Sequence, residues 1–486
     1  MCRRAALCGA WTASSVAPVS SGYERSLRPC HTPPIAPRRR SVIPKRVLKR
    51  SEPAGRRAAL GAGALAIPVF IAACAIPDGG LFRAARFRDV HVYQGYAESL
   101  LHGALPYRDV FVEYPPGAFA VFLPPTAFGA AHYNAAFKTL MALCGVATIV
   151  LVALVLAELG ASRRRVYAAI GLLALAPAAL GPISLNTYDA WPALLTVAAL
   201  FLLLRGWDLW AFGTLGLAVS AKVYPLVLVP LALVFVWRRA GARRTALALG
   251  VFLLVAAAVV VPFAAYDLDG VVSSFRAQAS RGLQVESLGA SLLLVLDRLG
   301  LYDAEVVRTT GVAGRNLTGS LPDAVAAATL VLEAAAAAAV WLLYARAREG
   351  RAHLPVALAA AVAGFLAFTK VFSPQYLVWL VPLVVLVGGV AGIVATLLTA
   401  VSLVLAQVWF FHYHALFRIA WPTWLLLARD LLVVVLFAVL AGALARAQPR
   451  RWKIRIPSRS KTSRHSGLRR SQESWTVVGK GASRSA

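Results

Sequence analysis

Pro115-Pro116-Gly117-Ala118-Phe119-Ala120-Val121-Phe122-Leu123-Pro124-Pro125 is the stretch whose reading decides how this chain is threaded. It is apolar, yet well short of the roughly 20 residues that a bilayer crossing needs. Proline pairs at both ends remove backbone donors and clash with the turn before them, which no simple spanning helix keeps. The stretch is therefore expected to lie in, or dip into, a membrane interface rather than to cross. If it crossed, Arg163-Arg164-Arg165 would move to the opposite face and the carboxy-terminal arm would be carried across the membrane, against the bias of basic loops to one side.

Working outward, the composition sets the class. With 59% hydrophobic and only 15% charged residues, the chain has more apolar surface than one water-soluble core can hide. Apolar segments near 58–77, 135–159, 166–183, 189–205, 209–222, 224–237, 245–264, 323–345, 353–370, 375–388, 390–411 and 421–445 predict an all-α polytopic membrane protein of about twelve transmembrane helices with helical outer loops. The first is too long for a signal core and is taken as the first span. Segments 209–222 and 224–237 meet at Lys222-Val223-Tyr224-Pro225 and read as short helices whose tips face an internal cavity. Gly388-Gly389 marks a turn with no basic residue of its own beside it.

Arg163 to Arg165, Arg238-Arg239, Arg243-Arg244 and Arg346 to Arg351 then share a cytoplasmic face with both termini, leaving large outer segments at 78–134 and 265–322. The arms at 1–57 and 446–486 hold about half of the 50 Lys and Arg and almost no acid, so they read as disordered basic arms near membrane lipid. That placement accounts for the net charge of +29 without nucleic acid. The five cysteines show neither metal nor disulfide spacing. His412 and His414 lack an accompanying carboxylate and read as interfacial, so no metal is expected. The Ala and Arg bias suits a bacterial plasma-membrane protein.

Polar residues gather on the outer side, where a charge near apolar helices is costly unless it faces a cavity or a partner. Arg88-Asp89-Val90-His91-Val92-Tyr93 runs on to Tyr107-Arg108-Asp109-Val110-Phe111-Val112-Glu113-Tyr114-Pro115-Pro116. Asp89 opens an expected helix, Asp89 to Leu101, where it either caps the helix or serves as a base. Tyr93 follows one turn later and is either a substrate contact or an interfacial aromatic. Asp109 and Glu113 either bind hydroxyls or brace the loop against Arg86, Arg88 or Arg108, bracing being favoured for Asp109. Lys222 and Lys370 are cation candidates, with snorkelling as the alternative for Lys222. Arg276 and Arg281 read as solvated surface. Asn186 and Gln375 offer amides that either read hydroxyls or form turns.

As a set, Asp89-Val90-His91-Val92-Tyr93, Pro106-Tyr107, Asp109, Glu113-Tyr114-Pro115-Pro116, Asn186-Thr187-Tyr188-Asp189, Ala221-Lys222-Val223-Tyr224-Pro225 and Ser373-Pro374-Gln375-Tyr376 resemble the large membrane glycosyltransferases of the C superfamily, and most closely glycosyltransferase family 87. The likeness spans about residues 57 to 445. It implies a GT-C-type fold and no cofactor. The implied reaction moves a sugar, mannose or else arabinofuranose or another pentose, from a polyprenyl-phosphate donor to a glycolipid or polysaccharide acceptor at the outer face. It also implies Asp89 as the catalytic carboxylate, a general base; Tyr93, Asp109, Glu113, Tyr114, Asn186, Lys222, Lys370 and Gln375 are the candidate substrate contacts. Some relatives carry a His where this chain has Ser373 to Tyr376, so no role for that His carries over. A transporter or lipid-linked-sugar flippase is the alternative class. It predicts internal repeats and broken helices at mid-membrane, and no clear repeat is found.

Overall fold

Helices dominate the computed structural model, which describes residues 53–79, 89–308, 314–348, 350–413, 416 and 420–448. The basic arm as far as residue 52, the tail from residue 449, Arg86, Arg88 and His414 lie outside the described residues. In chain order the first elements are α1 (Pro53–Gly79), α2 (Asp89–Leu101), α3 (Phe119–Phe122), α4 (Tyr133–Glu158), α5 (Arg163–Leu180), α6 (Ile183–Asn186), α7 (Ala190–Arg205) and α8 (Asp208–Ala221). Next come α9 (Val229–Tyr266), α10 (Leu268–Ala279), β1 (Leu283–Gln284), α11 (Leu288–Arg298), β2 (Glu305–Arg308) and β3 (Arg315–Thr318). The chain closes with α12 (Ser320–Arg346), α13 (His353–Phe368), α14 (Leu377–Val384), α15 (Gly389–Phe411) and α16 (Trp421–Arg446).

Every apolar segment read from the sequence is helical, but crossing length is another matter. Among the described residues, six helical stretches are long and apolar enough to cross a membrane: Arg57–Ile76, Ala130–Glu158, Tyr224–Tyr266, Ser320–Arg346, Gly389–Phe411 and Trp421–Arg446. The count of about twelve is therefore not reproduced. Segments 224–237 and 245–264 follow one another without a loop in α9, but helical geometry breaks at Gly241, whose φ of 77° only glycine adopts without strain, so they are two helices meeting at a kink. Helices α7, α8 and α13 are apolar but shorter.

The proline-bracketed stretch does not form a spanning helix. It folds as a 3-10 turn at Pro116–Ala118, the short α3, and a second 3-10 turn at Pro124–Phe128. Phe119, Val121 and Phe122 are buried in protein. At Gly117 a Cβ would lie 2.6 Å from the backbone of Ser220 and 2.7 Å from that of Ala221, so the glycine lets this turn press against the end of α8.

The principal core runs through α1, α4, α5, α7, α8, α9 and α13 to α16. One end of the bundle is tied by arginines. Glu158 receives Arg205 at 2.9 Å and Arg351 at 3.3 Å, while Asp208 receives Arg239 and Arg244. Arg165 donates to the carbonyl of Leu386 at the Gly388-Gly389 turn, so α5 supplies from a distance the basic residue that the turn lacks in sequence. At the other end lie α2, α10, α11 and an antiparallel sheet of order β1-β3-β2. The turn at 369–376 joins this end, for the Lys370 carbonyl accepts from Gln284 N–H.

Candidate active site

Where α7 begins and α8 ends, two charges meet. Lys222, the residue just past the end of α8, is extended (φ −157°, ψ 143°). Its ammonium lies 2.8 Å from Oδ1 of Asp189, whose side chain is fully buried. Trp379 Nε1 donates to the same oxygen at 2.8 Å. The ammonium also faces the rings of Tyr188 at 4.4 Å, Tyr376 at 5.0 Å and Trp379 at 5.3 Å. Tyr224, Trp379 and Tyr376 stack with centroids 4.0 and 4.3 Å apart.

Above this cage opens a cavity of about 1120 Å³. Its lining holds four carboxylates (Asp89, Glu113, Glu286 and Glu333) and five cations (Lys222, Arg281, Arg308, Arg315 and Lys370). Asp89 enters from the first turn of α2. Burial, then the charges of Glu113 and Asp189, push its carboxyl up to about 6 against the opposing pull of Lys222. The segment bearing Glu113 is strapped to α10, for Ser274 donates to the Val112 carbonyl and Gln278 to that of Glu113. Arg281 is buried and its guanidinium lies 3.7 Å from the Glu113 carboxylate. Lys370 lines the same wall and its ammonium donates to the Ala279 carbonyl at 2.7 Å.

The expected site residues divide accordingly. Asp89, Glu113, Tyr114, Lys222, Lys370 and Gln375 all line the cavity. Tyr93, Asp109 and Asn186 are not among its lining residues, which sets aside the substrate-contact alternative for Tyr93 and Asn186 and agrees with the bracing favoured for Asp109. Tyr93 is wholly buried behind the wall, stacked on Phe122 at 4.5 Å and edge-on to Tyr114 and Tyr188, so it supports rings that do reach the cavity. Asp109 is exposed, accepting from Leu105 N–H at 2.8 Å and pairing with Arg108 at 2.9 Å, which is loop bracing. Asn186 turns its amide back to the Pro182 carbonyl at 2.7 Å, a turn-forming role.

Several residues in or beneath the cavity escaped the sequence reading. Arg281 is no solvated surface residue; among the pair singled out there, only Arg276 is exposed. Asp189 sat in the joint with Asn186, and a carboxylate at the mouth of an apolar helix was the stronger signal of the two. Glu286 and Arg315 carry no local pattern that marks them. Among the described residues, no group of three or more His, Cys, Asp or Glu is placed to hold a metal ion.

A helix bundle with a charged, hydroxyl-rich chamber at one end defines a membrane protein built to handle a polar group. A family model for glycosyltransferase family 87 matches residues 111–374, more than half of the chain, and the chain belongs to that family. It is accordingly a membrane glycosyltransferase, with a sugar donor and an acceptor as its substrates. The matched region holds Glu113, Tyr114, Lys222 and Lys370, and stops short of Asp89 on one side and Gln375 on the other. No curated protein matches the chain.

Proposed function

We propose that the protein transfers a sugar, mannose in the leading reading, from a polyprenyl-phosphate donor to a glycolipid or polysaccharide acceptor, with inversion. The observation that carries this reading is the Asp89 carboxylate, at the first turn of α2, facing a chamber whose walls also bear Arg281, Arg308, Arg315 and Lys370. The acceptor hydroxyl attacks the anomeric carbon as Asp89 takes its proton. The bond from that carbon to the phosphate oxygen breaks, and the electron pair leaves on the phosphate, which needs no general acid because it is stabilised as an anion. Cations in a chamber of low dielectric hold that anion far better than they would in water.

With its carboxyl at about 6, Asp89 is about nine-tenths ionised at pH 7 and still a competent proton acceptor. The chamber lies at the end of the bundle opposite the arginine-tied one. Taken with the bias of basic residues toward the cytoplasm, this supports a site at the outer face of a bacterial plasma membrane and cytoplasmic termini. Lys222, committed to Asp189, is assigned to holding the cage and moderating Asp89 rather than to gripping phosphate.

Purified protein given mannosyl-phosphoryl polyprenol and a glycolipid acceptor tests the reading. Asp89→Asn is expected to lower transfer by about 10²- to 10⁴-fold. In the wild type, activity falls as pH drops through about 6, because the base is lost on protonation. Transfer undiminished in Asp89→Asn, or no product from the wild type with any lipid-phosphate sugar, would remove the proposal.

A further inference from the structure

One wall of the chamber carries acceptor atoms that the proton transfer does not use. Glu286 and Gln284 each retain only 4% of their exposure and both line the cavity. Among the described residues, Glu286 Oε2 and Gln284 Oε1 have no hydrogen-bond partner. A buried acceptor left bare costs on the order of 1 to 3 kcal/mol, so a partner delivered by a ligand relieves a real penalty.

The backbone beneath them is fixed. Gln284 N–H bonds the Lys370 carbonyl at 3.0 Å, Val285 N–H that of Arg315 at 3.0 Å, and Ser287 N–H that of Gln284 at 2.9 Å. Ser287 then caps α11. From the membrane-length helix α16, Arg429 reaches in, fully buried, and donates to the Glu286 carbonyl at 2.6 Å. The arginine thus pins the segment through its main chain and leaves the carboxyl group unspent. Burial pushes that carboxyl up to about 8, with Arg429 and Arg281 pulling it down and Asp430 and Asp89 pushing it up. At neutral pH it is mostly protonated, and so both donates and accepts.

The charges felt by Glu286 also locate it. Both Arg281, on the wall assigned to phosphate, and Asp89, which takes the acceptor proton, act on it. In an in-line displacement the sugar ring lies between those two. We infer that Glu286 and Gln284 form the hydroxyl-reading wall of the donor subsite, contacting the sugar ring of the lipid-linked donor while the cations hold its phosphate. This inference rests on the proposed donor and adds which residues distinguish one sugar from another.

The test measures binding in the Asp89→Asn background, where turnover is suppressed. The probes are bare polyprenyl phosphate and the same lipid carrying mannose or arabinofuranose. Glu286→Ala is expected to weaken the tighter-binding loaded lipid by about tenfold or more and to leave the bare lipid within about threefold. Glu286→Gln, neutral and nearly isosteric, is expected to keep the preference. Lys370→Met is expected to weaken loaded and bare lipids alike. Retained binding of the bare lipid shows that the Glu286→Ala protein is folded. Equal loss for both lipids, or no change for either, would overturn the inference while leaving the donor assignment standing. If the Asp89→Asn protein binds none of the lipids, the donor assignment falls and takes this inference with it.

Discussion

Replacing Lys222 by methionine isolates the charge pair at the floor of the chamber. Methionine is one atom shorter and uncharged, so the aliphatic stem is kept while the ammonium's contacts with the Tyr188, Tyr376 and Trp379 rings go with the ion pair. At 2.8 Å from Asp189 and an effective dielectric near 20, the pair's Coulomb energy is about 6 kcal/mol before desolvation is charged against it. Removing one partner of a buried pair leaves the other uncompensated, at about 3–5 kcal/mol. Asp189 would keep the Trp379 indole as a donor, which places the expected loss toward the lower end of that range. Thermal unfolding in detergent is expected to show a midpoint fall on the order of 5 °C. Lys222→Met/Asp189→Asn is expected to recover most of it, since no charge is then stranded. The same variants move the pH profile. The Lys222 charge lowers the Asp89 carboxyl and that of Asp189 raises it, so the acid limb shifts above about 6 in the single variant and returns in the double one. A single variant as stable as the wild type, with its acid limb unmoved, would refute the reasoning.

Two further substitutions probe how the chamber is held in shape. Gly117→Ala drives a methyl group to within 2.6 Å of the α8 backbone, where nothing flexible can yield, so the Tyr114-Pro115 segment must lift. Overpacking of this kind costs about 1–3 kcal/mol; transfer activity should fall with it, while Gly95→Ala, which meets open space within α2, should be silent in the same assay. Arg429→Met strips the cation beside Asp430, 2.9 Å away but off the axis that a hydrogen bond needs, and also frees the Glu286 carbonyl. Stability in the same unfolding assay is expected to drop by about 3–5 kcal/mol, and Arg429→Met/Asp430→Leu to restore most of it because a buried pair can be exchanged for apolar packing.

Asp89 and the Glu113-Tyr114-Pro115-Pro116 run were legible because local chemistry announces them: acid at a helix start, proline pairs beside apolar residues. For Asp109 bracing is the favoured reading of the sequence, and for Asn186 a turn role stands beside hydroxyl recognition. Their side chains turn back onto their own loops, at Leu105 and Pro182, a choice that spacing does not encode. Tyr93 sits on the expected face of α2, yet that face meets Phe122 and Phe137 rather than open space. Arg281 was misjudged because an arginine in a polar loop is solvated by default, and only the strapping of that loop onto the 112–113 segment buries it.

Hydropathy and the distribution of arginine were enough to establish a helical membrane protein with its chemistry gathered at one end, since the cost of burying charge acts on every stretch of chain independently of its neighbours. Which charges meet was decided only in three dimensions. Lys222 and Asp189 lie 33 positions apart, and Arg429 and the Glu286 carbonyl 143 apart. Such pairs form only when helices remote in the chain pack side by side, and no local pattern carries their partners' names.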